Sequence, residues 1–155
     1  MGQSIILQMT IPWNTFVISS FILYNLVMKK IGKLTTHPFV FLEKHEAQTI
    51  AFLINIGKDI EILAPIRSKG VRTPDIAMDG VCWEIKCPVG NSKKTIVKNL
   101  KNASKQSANI IFDLRKTKLS EQKCLLQLKA EYKLRTAIKR LLVITKNYIL
   151  LDIKK

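Results

Sequence analysis

Read for the spacing of apolar side chains, the chain alternates between helical and strand periods. Residues 43–56, EKHEAQTIAFLINI, repeat at helical spacing, with Ala47, Ile50, Ala51 and Ile54 on one stripe and Gly57 as the stop. Glu46 falls at the edge of that stripe, where solvated charge is usually avoided. Residues 59–63 alternate as a strand. Residues 73–88, TPDIAMDGVCWEIKCP, read as two extended runs joined by Asp79-Gly80, a pair suited to the positive φ angles of a tight hairpin turn. In the second run Trp83 and Ile85 point to one face and Glu84 and Lys86 to the other. Cys82 shares the Glu84 face and is expected to be a small buried apolar residue.

Ser92 is placed to cap a helix over 93–107 whose inward face is Ile96, Leu100, Ala103 and Ser107. Residues 109–114, NIIFDL, have the length and composition of a buried strand. The strand–helix–strand spacing from Cys82 to Asp113 predicts a βαβ crossover with parallel pairing. A second amphipathic helix is expected over 120–136, with Leu125, Leu128, Tyr132 and Ala137 inward. Residues 141–145 and 148–153 read as a hairpin around Lys146-Asn147.

The N-terminus breaks this pattern. Residues 1–28 hold no charged side chain, and Lys29 and Lys30 follow. The 11–28 stretch has the length of one membrane span, with the lysines placing the remainder in the cytoplasm. Pro12, Asn14, Thr15, Ser19, Ser20 and Asn25 make it a poor span, and an accessory segment buried against the core is the other reading. A cleavable signal peptide is disfavoured because no basic region precedes the apolar run. The chain therefore divides into an apolar segment, 1–40, and a domain, 41–155.

Composition adds a partner. At 155 residues and 47% hydrophobic, the chain has material for one real core. Its formal net charge is +15, and residues 87–155 hold seventeen Lys/Arg against four acids. Such density points to a polyanion, nucleic acid first and an anionic membrane surface second. Lys94, Lys98, Lys101 and Lys105 share one face of the 93–107 helix with no acid between them, as a phosphate track would. Arg72, with Arg67 and Lys69, sits in a loop able to approach a phosphate backbone. Aromatics are sparse and not interleaved with the lysines, so an aromatic stacking platform is not indicated. Three cysteines without a CxxC pair suggest neither a disulfide framework nor a structural zinc. There is no GxSxG, no glycine-rich phosphate loop and no convincing Cys–His pairing.

The hairpin carries the candidate chemistry. Asp75 and Glu84 can present two carboxylates beside the Lys86 ammonium on one surface. Mg²⁺ favours oxygen ligands, commonly one or two carboxylates with water and substrate phosphate, and a neighbouring lysine can orient an attacking water. The plainer reading is a surface hairpin in which Glu84 and Lys86 form a solvated pair worth little. His45 is read as a boundary or capping residue rather than a base.

Pro74-Asp75, eight residues, then Glu84-Ile85-Lys86 resembles the PD-(D/E)xK nuclease superfamily. With His45-Glu46, Asp79-Gly80, and Gln106 followed by NIIFDL, residues 44–114 resemble the C-terminal tRNase domains of bacterial contact-dependent growth inhibition toxins. The resemblance implies an α/β fold with a restriction-endonuclease-like mixed β-sheet flanked by helices. It also implies Mg²⁺- or Mn²⁺-dependent phosphodiester hydrolysis, with tRNA the favoured substrate and DNA the alternative. Asp75, Glu84 and Glu46 would be the metal-site acids, Lys86 the water-positioning residue and Gln106 an assisting residue. A first-turn glutamate complementing the helix dipole is an equal reading of Glu46. A cognate immunity or antitoxin protein is an expected partner, and the site of action a cytoplasm, with membrane anchoring and delivery from another cell both open. Two other readings remain: a non-catalytic basic nucleic-acid-binding module, and a membrane-associated basic protein anchored by residues 11–28.

Overall fold

The Asp79-Gly80 turn forms as the sequence asks, with φ of 51° at Asp79 and 77° at Gly80. Around it, a computed structural model describes residues 30–38, 40, 42–66, 68 and 73–155. The proposed span at 11–28 and the basic loop residues Arg67, Lys69 and Arg72 lie outside the described residues. Among those described, no helix is long and apolar enough to cross a membrane.

The elements in order are β1 (Leu34–Thr35), α1 (Lys44–Asn55), β2 (Ile60–Ile62), β3 (Ile76–Met78), β4 (Val81–Lys86), α2 (Thr95–Ala103), β5 (Asn109–Asp113), α3 (Glu121–Leu134), β6 (Arg140–Ile144) and β7 (Leu150–Ile153). The seven strands form one mixed sheet in chain order. β1–β2, β4–β5 and β5–β6 are parallel, and the other neighbours are antiparallel. The expected crossover is β4–α2–β5, and β5–α3–β6 repeats it. Ile31–Lys155 is one compact unit, so β1, set with the apolar segment by composition, pairs with β2.

Strand alternation divides the core between the two faces of the sheet. α1 packs on Ile60, Ile62, Trp83, Ile85, Ile111, Leu142 and Ile144. On the other face α2 and α3 pack on Ile110, Phe112, Leu141, Val143 and Ile153. β5 thus sends Ile110 and Phe112 one way and Ile111 the other, all fully buried, as a central strand covered on both faces must.

Three details differ from the sequence reading. α1 buries Thr49, Ile50, Phe52 and Leu53, while Ala47 and Ala51 are exposed. The larger side chains set the rotation of the helix, because alanine has little area to gain from burial. The turn brings Glu46 onto the inward face, one step from Thr49 and Ile50. Cys82 is exposed rather than buried, since it precedes the part of β4 that the helices cover. In α3 the inward residues are Cys124, Leu128 and Tyr132, and Ala137 falls beyond the helix and is exposed.

Candidate active site

Glu84 is the centre of the candidate site, and its burial is complete. Position 84 lies mid-strand, opposite Ile110 on β5, on the face that α2 covers. One carboxylate oxygen, Oε1, accepts hydrogen bonds from both Lys86 Nζ and Gln106 Nε2. The other, Oε2, is buried with no N–H or hydroxyl donor on it, and the carboxyl of Asp75 lies within hydrogen-bonding reach of the Glu84 carboxyl, so the two can share a proton when one is protonated. An unsatisfied buried carboxylate oxygen is costly, and native structures keep such groups for a reason. Burial pushes this carboxyl up to about 7; the Lys86 hydrogen bond works against the rise and the neighbouring Asp75 charge adds to it.

Asp75 reaches the same place through an interrupted ladder. Its N–H donates to Trp83 O at 3.1 Å, but Pro74 before it has no N–H with which to extend the pairing. The Ile85 N–H donates to Asp75 Oδ2 at 2.7 Å, the side chain taking the place of a ladder carbonyl. The carboxyl is thereby held at the carboxyl end of β4 beside Glu84. Burial raises its pKa, with the Ile85 bond and the Lys86 charge opposing.

Glu46 is half-buried. Its Oε2 accepts the Glu43 N–H at 3.1 Å, the local helix-start bond that the plainer reading anticipated. Burial raises its pKa as well, and the charge of Asp75 contributes, so the group also faces the carboxylate pair. The three acids do not, however, close into one tight set. Among the described residues, the group of three whose ligand atoms all lie within 4.8 Å is Glu43, His45 and Glu46. Of the expected set of Asp75, Glu84 and Glu46, the first two lie as a close pair and Glu46 lies further out. The reason is the Glu43 bond, which holds Glu46 to its own helix. His45 pairs with Glu43 at 3.2 Å, consistent with a boundary role.

A cleft of about 570 Å³ lies beside these groups, lined by Glu43, His45, Glu46, Lys86, Asn99, Asn102, Lys105 and Gln106 among others. Lys86 and Gln106, which bond Glu84 Oε1, belong to its wall, while Asp75 and Glu84 lie behind that lining. α2 is shorter than expected: Lys94 is its N-cap position, and Lys105 and Gln106 lie in the turn beyond its end. That turn aims Gln106 at Glu84. Lys94, Lys98, Lys101 and Lys105 are all exposed, and among the described residues none of them is in an ion pair. Lys105 stands at the cleft rim and the others continue along the helix. The amides of Asn99 and Asn102 were missed in the sequence, although with Gln106 they repeat at i, i+3 and i+7.

The residues present fit a hard divalent cation such as Mg²⁺: Glu84 Oε2 and the Asp75 carboxyl are two adjacent oxygen donors, both with pKa values raised by burial, and ionising both would call for a positive charge between them. No curated protein matches the chain. A solved structure, the CdiA-CT/CdiI toxin and immunity complex from Burkholderia pseudomallei, includes a chain with the same fold, at TM-score 0.59 and 20% identity over 80% of this chain and all of that one. Residues 72–150, spanning the hairpin acids, the lysine helix and the parallel strands, match the family model for the contact-dependent growth inhibition CdiA C-terminal domain, and the chain belongs to that family.

Proposed function

We propose that this contact-dependent growth inhibition toxin domain is a divalent-metal-dependent nuclease that hydrolyses phosphodiester bonds, with tRNA the favoured substrate. The observation that carries the reading is Glu84: a fully buried carboxylate at the centre of a sheet, one oxygen accepting hydrogen bonds from Lys86 and Gln106 and the other without an N–H or hydroxyl donor, with a second acid, Asp75, set against it. A structural acid at that depth would have both oxygens satisfied.

In this scheme Asp75 and Glu84 hold the cation. When bound there, Mg²⁺ lowers the pKa of the attacking water and offsets charge developing on the phosphoryl oxygens. Gln106 fixes the Glu84 rotamer by occupying Oε1, which leaves Oε2 as the ligand. Lys86, tied to the same Oε1 and mostly buried, orients the water and places a positive charge at the reacting phosphate. Glu46, held by the Glu43 N–H, would accept a hydrogen bond from a water at the site. Lys105 at the rim, with Lys101, Lys98 and Lys94 behind it, tracks the substrate backbone.

Family membership favours delivery from a neighbouring cell and action in the recipient cytoplasm. The related complex suggests a cognate immunity protein as the natural partner. Purified wild-type protein and Glu84→Ala, given total tRNA or plasmid DNA with Mg²⁺ or with EDTA, provide the test. Cleavage of tRNA that is lost with EDTA and in the variant is expected. DNA cleavage alone keeps the mechanism and changes the substrate; binding without cleavage under any divalent cation overturns the enzyme.

A further inference from the structure

A second cleft, of about 450 Å³, adjoins the first and shares His45 and Cys87 with it. It lies at the carboxyl ends of the parallel strands β4, β5 and β6, the place where open α/β sheets bind ligands. Its character differs from the first. Ala51, Phe52 and the Tyr148 ring supply apolar wall, while Arg115 and Lys116 supply positive charge.

Arg115 is built in rather than draped over the surface. Its Nε and Nη2 bond the Asp113 carboxylate at 2.6–3.1 Å, and Nη2 also reaches Gln48 O at 3.1 Å. The guanidinium carbon is 5.2 Å from the Phe52 ring centre and 5.1 Å from that of Tyr148. Among the described residues Nη1 has no hydrogen-bond partner, so one arm of the fork is available to a ligand.

Tyr148 supplies the second observation. Its φ is +59°, a left-handed conformation that bulky side chains rarely adopt, and its side chain is 64% exposed. Asparagine or glycine would satisfy the β6–β7 turn without strain. An exposed aromatic ring held in a strained turn beside an anchored arginine is poorly explained by packing alone, and such strain collects at ligand sites.

We propose that this cleft takes the base of an unpaired nucleotide next to the scissile phosphate, stacked on Tyr148, with its phosphate against Arg115 Nη1 and Lys116. The inference rests on the nuclease reading of the adjoining cleft and narrows its substrate. A base inside a duplex cannot leave its stack to enter a side pocket without loss of pairing, whereas loops and single-stranded ends offer bases already splayed. The enzyme then selects loops or ends of a folded RNA over uninterrupted helix.

The test uses the full chain in EDTA, so that binding is read without cleavage, with Tyr148→Phe and Tyr148→Asn. The probes are a short single-stranded RNA carrying 2-aminopurine and the same sequence fully paired. Wild type and Tyr148→Phe are expected to quench the probe, and Tyr148→Asn to bind the single strand about tenfold more weakly, the scale of one stacked base. Duplex affinity should be equal in all three. Tyr148→Asn should melt no lower than wild type, because asparagine tolerates the left-handed turn, so weaker binding will not reflect misfolding. Equal single-strand affinity in Tyr148→Asn, with tRNA still cut by wild type in Mg²⁺, overturns the subsite and leaves the nuclease standing. If wild type neither binds nor cuts RNA, the nuclease reading falls and the subsite with it.

Discussion

Two acids are buried on adjacent strands, and the molecule treats them in opposite ways. Asp113, at the end of β5, has both oxygens bonded: Thr49 Oγ1 donates to Oδ2 at 2.6 Å, the Arg115 guanidinium grips both oxygens, and the Arg115 N–H adds a further bond at 3.0 Å. Burial alone would raise its pKa, but the Arg115 and Thr49 bonds outweigh it and hold the group below its ordinary value. Glu84, on β4, has one oxygen over-subscribed and the other bare, and its carboxyl is pushed up to about 7. At similar depth, one carboxylate is tied into the fold through both oxygens and the other has an oxygen that no N–H or hydroxyl donor reaches. The difference lies in satisfaction of the second oxygen rather than in burial.

Breaking each acid should therefore break a different property. Glu84→Gln keeps the shape and is expected to lower the cleavage rate on the order of 10³-fold or more, as for loss of a key charge-stabilising group, with the melting temperature unchanged or raised. Steady-state cleavage and thermal melts on one preparation decide it. Asp113→Asn should do the reverse. It leaves the Arg115 guanidinium, only 13% exposed, without its counter-charge, at a cost of about 3 kcal/mol in urea unfolding. Activity per folded molecule should fall far less than in Glu84→Gln, because Asp113 reaches the substrate only through Arg115.

The pH dependences should also oppose one another in metal-free protein. A folded-state pKa raised from 4.5 to about 7 means that the Glu84 contribution is complete below 4.5 and is lost as pH rises through about 7. By linkage that loss is at most about 3 kcal/mol. It should vanish in Glu84→Gln and shrink with saturating Mg²⁺. The depressed Asp113 contributes stability above its ordinary value of 3.8, lost as pH falls through the lower folded value. Urea titrations from acid to pH 8 test both signs. A smaller effect is expected from Gln106→Leu, which frees the Glu84 rotamer: a 10–100-fold fall in activity or metal affinity is typical when such an orienting bond is removed. Its signature is a higher Mg²⁺ concentration for half-maximal cleavage, without altered folding.

Much of this arrangement was legible in the sequence, and the limits are instructive. The hairpin, its face assignment and the crossover followed from Asp79-Gly80, the 82–86 alternation and the spacing to NIIFDL, all local rules. Asp75, Glu84, Lys86 and Gln106 converge as expected, since two strands and one crossover fix their positions. Glu46 was placed at the edge of the wrong stripe, because counting apolar positions weights Ala47 and Ala51 equally with Phe52 and Leu53, whereas packing weights area. The Asp113–Thr49–Arg115 cluster was not seen. It joins residues 64 apart in sequence, and only the sheet brings α1 over the end of β5. An acid closing an otherwise apolar central strand was the signal available. Sparse aromatics suggested no stacking platform; the proposed Tyr148 subsite would rest on a single ring placed by a turn, and composition cannot report placement.

The strand order has a consequence for how the domain comes into being. Because the sheet runs β1 to β7 as the chain does, each strand docks on the one made just before it, while α1 must wait for β5 and β6 to complete the face on which it packs. A chain emerging end-first from a narrow passage can build the sheet rung by rung. Asp75 and Glu84 emerge early, but α2, Gln106 and β5 follow them, so the buried environment of Glu84 closes only after the crossover is laid down. Incomplete chains thus carry the acids without the enclosure that surrounds Glu84 in the folded domain.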